Sequence, residues 1–367
     1  MTDHEAYVAF NMVPDVGSVK VDALVQKHGG VSAAWEAFAA KTDWKGKPID
    51  WETELVRAAK MHVTVVTRDD VRYPAGLFDL PSQPLALYVA GDPSALAMPG
   101  VAVVGTRLPT LYGTDMAEKF AAGLVRSGLS VISGLATGID AAAHKGALAA
   151  GGVTVGILGG ALDRFFPDEN RELGRRIVAA GGAVVSEYPF GFPPGRKTFP
   201  QRNRIVAALS RAVLAVESPI QSGTLITCSF AKQLGRKVMA IPANLDSPHS
   251  AGCWKLIREG AAMVTCAEEV VESVKGGTDE ITAQTDSEAL DSRRGTDGGG
   301  RLGSVASPKL ALDEAAVLRA IPSSGITLER LAFAAKLPAA TVGQVTMSLR
   351  LKKLVRFLPG NRVALAK

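Results

Sequence analysis

Apolar positions follow two different periods along this chain. Over residues 1–71 they recur at helical spacing. HEAYVAFNMV, SVKVDALVQKHGG, VSAAWEAFAA and WETELVRAAKMH each gather them on one face. These stretches predict an N-terminal helical domain. The turn Pro14-Asp15-Val16-Gly17 joins two of its helices in a SAM- or helix-hairpin-helix-like manner, with backbone amides open to a phosphate. A small bundle that only packs or recruits partners has the same pattern.

From about Thr64 the period changes. Continuous apolar runs (LALYVA, VAVVG, LSVIS, VTVGIL, GAVVS, RAVLAVE, RKVMAIP) alternate with helical stretches such as YGTDMAEKFAAGLVRSG and GIDAAAHKGALAA. Such runs are buried on both faces, as in a parallel sheet. Right-handed crossovers then predict an α/β core over 72–274, a Rossmann-like, doubly wound, mainly parallel sheet. Residues 275–309 are rich in Gly, Ser, Thr and charge without periodicity and predict a flexible linker. Residues 310–367 read as three helices and a hairpin around Pro359-Gly360-Asn361, the order of a winged helix. Arg350, Lys352, Lys353, Arg356 and Arg362 make its end basic. Such a module takes either duplex DNA or a protein partner.

Composition narrows the function classes. The net charge is +5 on 367 residues, so a nucleic-acid site must be local. Cys228, Cys253 and Cys266 have no metal-ligand spacing and suit a reducing cytoplasm. The N-terminus lacks signal-peptide character and no run reaches the length of a membrane span, so a soluble, cytoplasmic protein is expected. No Walker lysine turn, zinc-protease helix or nucleophile elbow occurs. Neither a cofactor nor a metal is expected.

The local basic site is found at 184–227. No acidic residue occurs from Tyr188 to Val216, whereas Arg196, Lys197, Arg202, Arg204 and Arg211 do, with Phe199 among them. Cations beside a ring suit single-stranded nucleic acid, the ring stacking a base. A basic surface loop over a core phenylalanine is the alternative. Other candidates lie where strands end, the usual place of the binding crevice. Gly105-Thr106-Arg107 offers a tight turn, a hydroxyl and a guanidinium fork. Ser133-Gly134 opens the turn toward Gly138, and Ser222-Gly223-Thr224 opens a helix with free amides. Arg107 could instead sit in an internal salt bridge. Asp140 and His144 share a helix face as a general-base pair or a structural hydrogen bond. Glu217 could polarise a substrate or pair with Arg202 or Arg204.

Together AVVGTRLPTLYG, SGLATGIDAAAHKGAL, GILGGALDRFFPDEN, SEYPFGFPPGRKTFPQRNRIVAALS and VESPIQSGTLIT resemble the DNA-processing protein A family, also called DprA or Smf. The resemblance covers the core nearly end to end. Two departures occur: Pro242-Ala243 stands where the family has Pro-Gly, and Gly252-Cys253-Trp254 where it has Gly-Thr-Asn. The resemblance implies a non-enzymatic homodimer of natural transformation. Such a protein binds and protects incoming single-stranded DNA and loads the RecA recombinase in competition with single-strand-binding protein. By motif, Arg107, Arg196, Lys197 and Phe199 would line the DNA pocket, and Arg202, Asn203 and Arg204 would shape it. The expected DNA site adds Gly105, Thr106, Ser133, Gly134, Ser222, Gly223 and Thr224 from the turns. The competing reading is a nucleotide phosphoribohydrolase-like enzyme built on Glu217 and the Ser222 turn.

Overall fold

The computed structural model describes residues 1–42, 48–275, 317, 321, 326–327, 331, 335, 337–352, 354–358 and 362–365. The chain divides into two units, Met1–Arg293 and Arg294–Lys367.

Helices α1 (Asp3–Asn11), α2 (Ser18–His28), α3 (Val31–Ala39) and α4 (Trp51–Lys60) open the first unit. Thr2 caps α1 in a capping box with Glu5, and Asp50 caps α4 through Thr53 N–H. Phe10, Trp35 and Phe38 pack ring against ring inside this group. The chain then enters the sheet through β1 (Val63–Thr67) and β2 (Ala86–Gly91).

The sheet continues with β3 (Gly100–Val104), β4 (Ser130–Ser133), β5 (Thr154–Ile157), β6 (Ala183–Ser186), β7 (Ala212–Ala215), β8 (Lys237–Ala240) and β9 (Ala262–Met263). Its order is β1-β2-β6-β5-β4-β3-β7-β8-β9. Strands β3 to β9 run parallel, and β1 and β2 add an antiparallel edge against β6. The sheet is therefore mostly parallel, as the unbroken apolar runs predict. Alternate residues of each strand go to opposite layers. Val101 and Val103 pack with Phe120 and Leu124 of α5 (Leu111–Arg126) and Ala143 of α6 (Ile139–Ala149). Ala102 and Val104 pack with Ile205 and Val206 of α8 (Thr198–Leu209) and Cys228 of α9 (Gly223–Gln233). Helix α7 (Arg171–Ala179) lies beside α6, and α10 (Ala251–Arg258) follows β8.

Strands β3 to β6 are laid down in one direction, and the chain returns to place β7 on the other side of β3. The loops after β3 and β7 therefore diverge and leave a crevice at the carboxyl end of the sheet.

In the second unit, α11 (Ala339–Leu351) precedes β11 (Val355–Leu358) and β12 (Arg362–Leu365). Strand β12 pairs antiparallel with β11 and with a short β10 (Ile326–Thr327) that the helical pattern did not announce. Val317, Ile321, Leu331, Val342, Leu349, Val355 and Val363 form its core. The linker expected over 275–309 lies outside the described residues, apart from Lys275, which is helical.

Candidate nucleic-acid interface

A cleft of about 290 Å³ opens where the loops after β3 and β7 part. Gly105, Thr106 and Arg107 border it from β3, Gly134 from β4, and Ser222, Gly223 and Thr224 from the start of α9. Phe199, Arg202 and Asn203 of α8 close it. Ten of the fourteen predicted site residues thus meet in one place.

Helix α8 is the element that the sequence hid. The basic run reads as a loop because Pro200 sits inside it. Proline is nevertheless tolerated in the first helical turn, where its missing N–H has no helical partner to lose. Once the run is helical, 199, 202, 203 and 206 face the cleft, whereas 201 and 204 face another hollow. Phe199 is half-buried, and the exposed Arg107 lies over its ring with the guanidinium carbon 5.1 Å from the centroid. Phe166, 47% exposed, packs tilted against the same ring at 5.8 Å. Phe166 carried no separate signal in the sequence. Arg107 and Phe199 stand between this cleft and a smaller hollow of about 220 Å³ bordered by Phe166 and Pro167.

Two glycines set this arrangement. A side chain on Gly159 would come within 2.6 Å of the Phe199 ring. Gly138 has φ +80, and a side chain there would meet the Arg107 backbone at 2.7 Å. The turn before α6 thus supports the turn that carries Arg107.

The other cations divide by role. Arg202 is only 4% exposed and donates to the carbonyls of Gly134 and Ile157, tying α8 to the ends of β4 and β5. Burial pushes its pKa down to about 10, with the Asp140 carboxylate opposing the shift, so it stays charged at neutral pH. Desolvation raises the Asp140 carboxyl, and Arg202 opposes that shift too. Arg204 points away from the cleft into an ion pair with Glu187, at 2.5 Å and 2.9 Å. Arg196 and Lys197 are exposed just before α8 and border neither hollow. Asn203 donates to Gly223 O at 3.2 Å and so joins α8 to the start of α9.

The turn hydroxyls are partly engaged. Ser133 is buried and donates to Val103 O at 2.6 Å, which takes it out of the cleft lining. Thr106 Oγ1 accepts from Leu108 N–H, and Ser222 caps α9 by accepting from Thr224 N–H at 3.0 Å. Thr224 Oγ1 borders the cleft and is buried without a hydrogen-bond partner among the described residues.

Two expected acid–base groups are engaged in holding the fold. Glu217, 2% exposed, accepts from Thr110 N–H at 2.8 Å and from Thr110 Oγ1 at 2.9 Å. Thr110 caps α5, so this carboxylate steadies a helix N-terminus and pairs with neither Arg202 nor Arg204. His144 does not pair with Asp140. Thr154 Oγ1 gives its proton to Val131 O, so the His144 Nδ1–H donates to Thr154, at 2.7 Å. Its Nε2 is buried and bare, and burial pushes the pKa from 6.5 to about 3. Among the described residues no group of three or more His, Cys, Asp or Glu could hold a metal ion, and no helix is long and apolar enough to cross a membrane.

The sequence profile of the DNA recombination-mediator protein A family matches residues 64–275. The chain belongs to this family. The stretch matched runs from β1 through the helical residue Lys275 and contains every residue of the cleft. Protein Smf of Synechocystis is 43% identical over 286 residues, 73% of this chain and 72% of that protein. Across curated DprA and Smf relatives the match spans from 49% to 72% of their lengths. The crystal structure of DprA from Streptococcus pneumoniae superposes with a TM-score of 0.62 at 32% identity, covering 74% of this chain and 97% of that one. DprA from Helicobacter pylori, whose structure was described for a single-stranded DNA binding mode, gives 0.53 at 28% identity, covering 59% and 98%.

Proposed function

We propose that this DprA-family chain binds single-stranded DNA in the cleft between the loops after β3 and β7, and acts there as a recombination mediator rather than an enzyme. The observation that carries the reading is the exposed Arg107 guanidinium over the Phe199 ring, at the mouth of an open cleft beside the start of α9. A phosphate on Arg107 and the Gly223 N–H at the start of α9, with a base against the Phe199–Phe166 pair, uses each group for what its chemistry suits. The H. pylori relative, described for single-stranded DNA binding, supports the ligand class. The binder reading gains from the engagement of Glu217, the carboxylate on which the hydrolase reading rests, and from that of His144, which pairs with Thr154 and not with Asp140.

In this proposal the protein protects incoming single strands during transformation and loads RecA on them against single-strand-binding protein. It works as a cytoplasmic homodimer. Residues 1–71 supply the helical domain and the edge strand β1 of the core sheet, 72–274 the rest of the DNA-binding core, 275–309 a linker, and 310–367 a winged helix that contacts duplex DNA or a protein. The test is a titration of fluorescent single-stranded and duplex oligonucleotides at several salt concentrations, followed by RecA filament assembly on strands already coated with single-strand-binding protein. A salt-dependent preference for single strands and faster filament assembly are expected. Equal or better duplex binding that Arg107→Ala leaves unaffected would reject the site, and unchanged assembly would reject the loading role.

A further inference from the structure

Arg196 and Lys197 raise a question of path. They are exposed, form no ion pair among the described residues, and border neither of the hollows that flank α8. A strand confined to the cleft does not reach around them. On the far side of α8 lies a hollow of about 630 Å³, and Pro200 borders both it and the cleft. The hollow runs between α8 and the Met12–Gly17 turn of the N-terminal helices.

Its floor carries an aromatic stack. The rings of Tyr188 and Phe192 lie 4.7 Å apart at 17°. Tyr188 Oη donates to Gln201 Oε1 at 3.1 Å, which holds the inner ring to α8. Phe192 is 40% exposed, and its backbone is pinned by Pro189 O and Ala161 N–H. Glu187 is neutralised by Arg204, and the hollow has no unpaired cation among the described residues that border it. Its chemistry therefore suits the face of a base more than a phosphate.

We propose that the single strand held in the cleft continues over the N-terminus of α8, its phosphates passing Arg196 and Lys197, and lays a base against the Phe192 ring. The proposal rests on the nucleic-acid reading of the cleft. It makes Phe192 a second stacking station, separated from Phe199 by the ridge that Pro200 crowns.

The test uses the full chain and homothymidine strands of about 4 and about 16 nucleotides, the range over which single-strand sites extend. Phe192→Ala should bind the long strand about tenfold more weakly and the short strand unchanged, as expected for one lost base stack. Its salt dependence should match wild type, because no phosphate contact is removed. Phe192→Trp should restore the long-strand affinity and show emission quenching on binding. Equal affinity of Phe192→Ala and wild type for both strands, with Arg107→Ala weak on both, would overturn the second station and leave the cleft. An equal loss on both strands would also overturn it, since Phe192 would then act on the shape of the cleft. If Arg107→Ala changes neither, the cleft reading itself falls.

Discussion

Arg107 lies over Phe199, with its guanidinium carbon 5.1 Å from the ring centroid, although one comes from the turn after β3 and the other from the first turn of α8. The contact orients a charge and a stacking surface toward one opening. Arg107→Ala removes the charge and should weaken single-strand binding by about tenfold or more. It should also flatten the slope of log affinity against log salt by about 0.7, one phosphate contact on a single strand. Anisotropy titrations at several salt concentrations measure both, and an unchanged slope would separate Arg107 from phosphate.

Phe199→Ala leaves the charge and removes the platform. The expected loss is about 1–3 kcal/mol per stacked base, with the salt slope preserved. Gly159→Ala should act in the same direction, because its methyl group would meet the ring at 2.6 Å and displace it. Comparing the slopes of the two variants with that of Arg107→Ala separates stacking from charge.

Arg202 is a different kind of arginine. Its loss removes the larger of the two cationic influences on the buried Asp140, leaving Arg107, and strips the carbonyls of Gly134 and Ile157 of their donor. Arg202→Ala should destabilise the fold by about 3–5 kcal/mol. Urea unfolding should show this before any DNA is added. A variant with wild-type stability and no DNA binding would instead make Arg202 a direct contact.

Glu217→Gln tests the enzymatic alternative. The amide nitrogen of Gln accepts no hydrogen bond, so one of the two Thr110 donors loses its partner, at about 1–3 kcal/mol. The variant should melt lower than wild type and bind DNA equally at low temperature. Wild-type protein incubated with nucleoside monophosphates should release no base. Turnover that disappears in Glu217→Gln would restore the hydrolase reading.

His144 gives a pH signature. Its folded-state pKa is depressed from 6.5 to about 3. Above 6.5 neither folded nor unfolded chain holds the proton, and no pH dependence arises from it. As pH falls below 6.5 the unfolded chain takes up a proton that the folded chain refuses. Stability then falls, by up to about 1.4 kcal/mol per pH unit, until the folded pKa is reached. Unfolding curves taken over this window should show the loss, and His144→Gln should flatten it.

The strands were legible because burial on both faces leaves an unbroken apolar run, as in VAVV and AVLA. The turns at Gly105 and Ser222 were legible because small residues after a strand have few other uses. Helix α8 was not, since Pro200 and the mixed run around it suppress the helical period. The roles of Arg202 and Arg204 were therefore not separable. Two positions apart on a helix, one is driven inward onto carbonyls and the other outward onto Glu187. The partner of Glu217 was hidden for another reason: Thr110 belongs to the far side of the switch point, which no local pattern reveals.

The pairing of β3 with β7 also bears on when the site comes into being. These strands are neighbours in the sheet, yet β4, β5 and β6 are all made between them. The cleft is a long-range closure, which is slow to form compared with local hairpins and helices. A chain emerging from the ribosome carries Arg107 long before it carries α8 and α9. Until α8 packs across β3, β4 and β5 the arginine has no ring beneath it, and until β7 seats against β3 it has no helix start opposite. A nascent or truncated chain that ends before α9 thus lacks one wall of the cleft, and the complete crevice arrives only with the completed sheet.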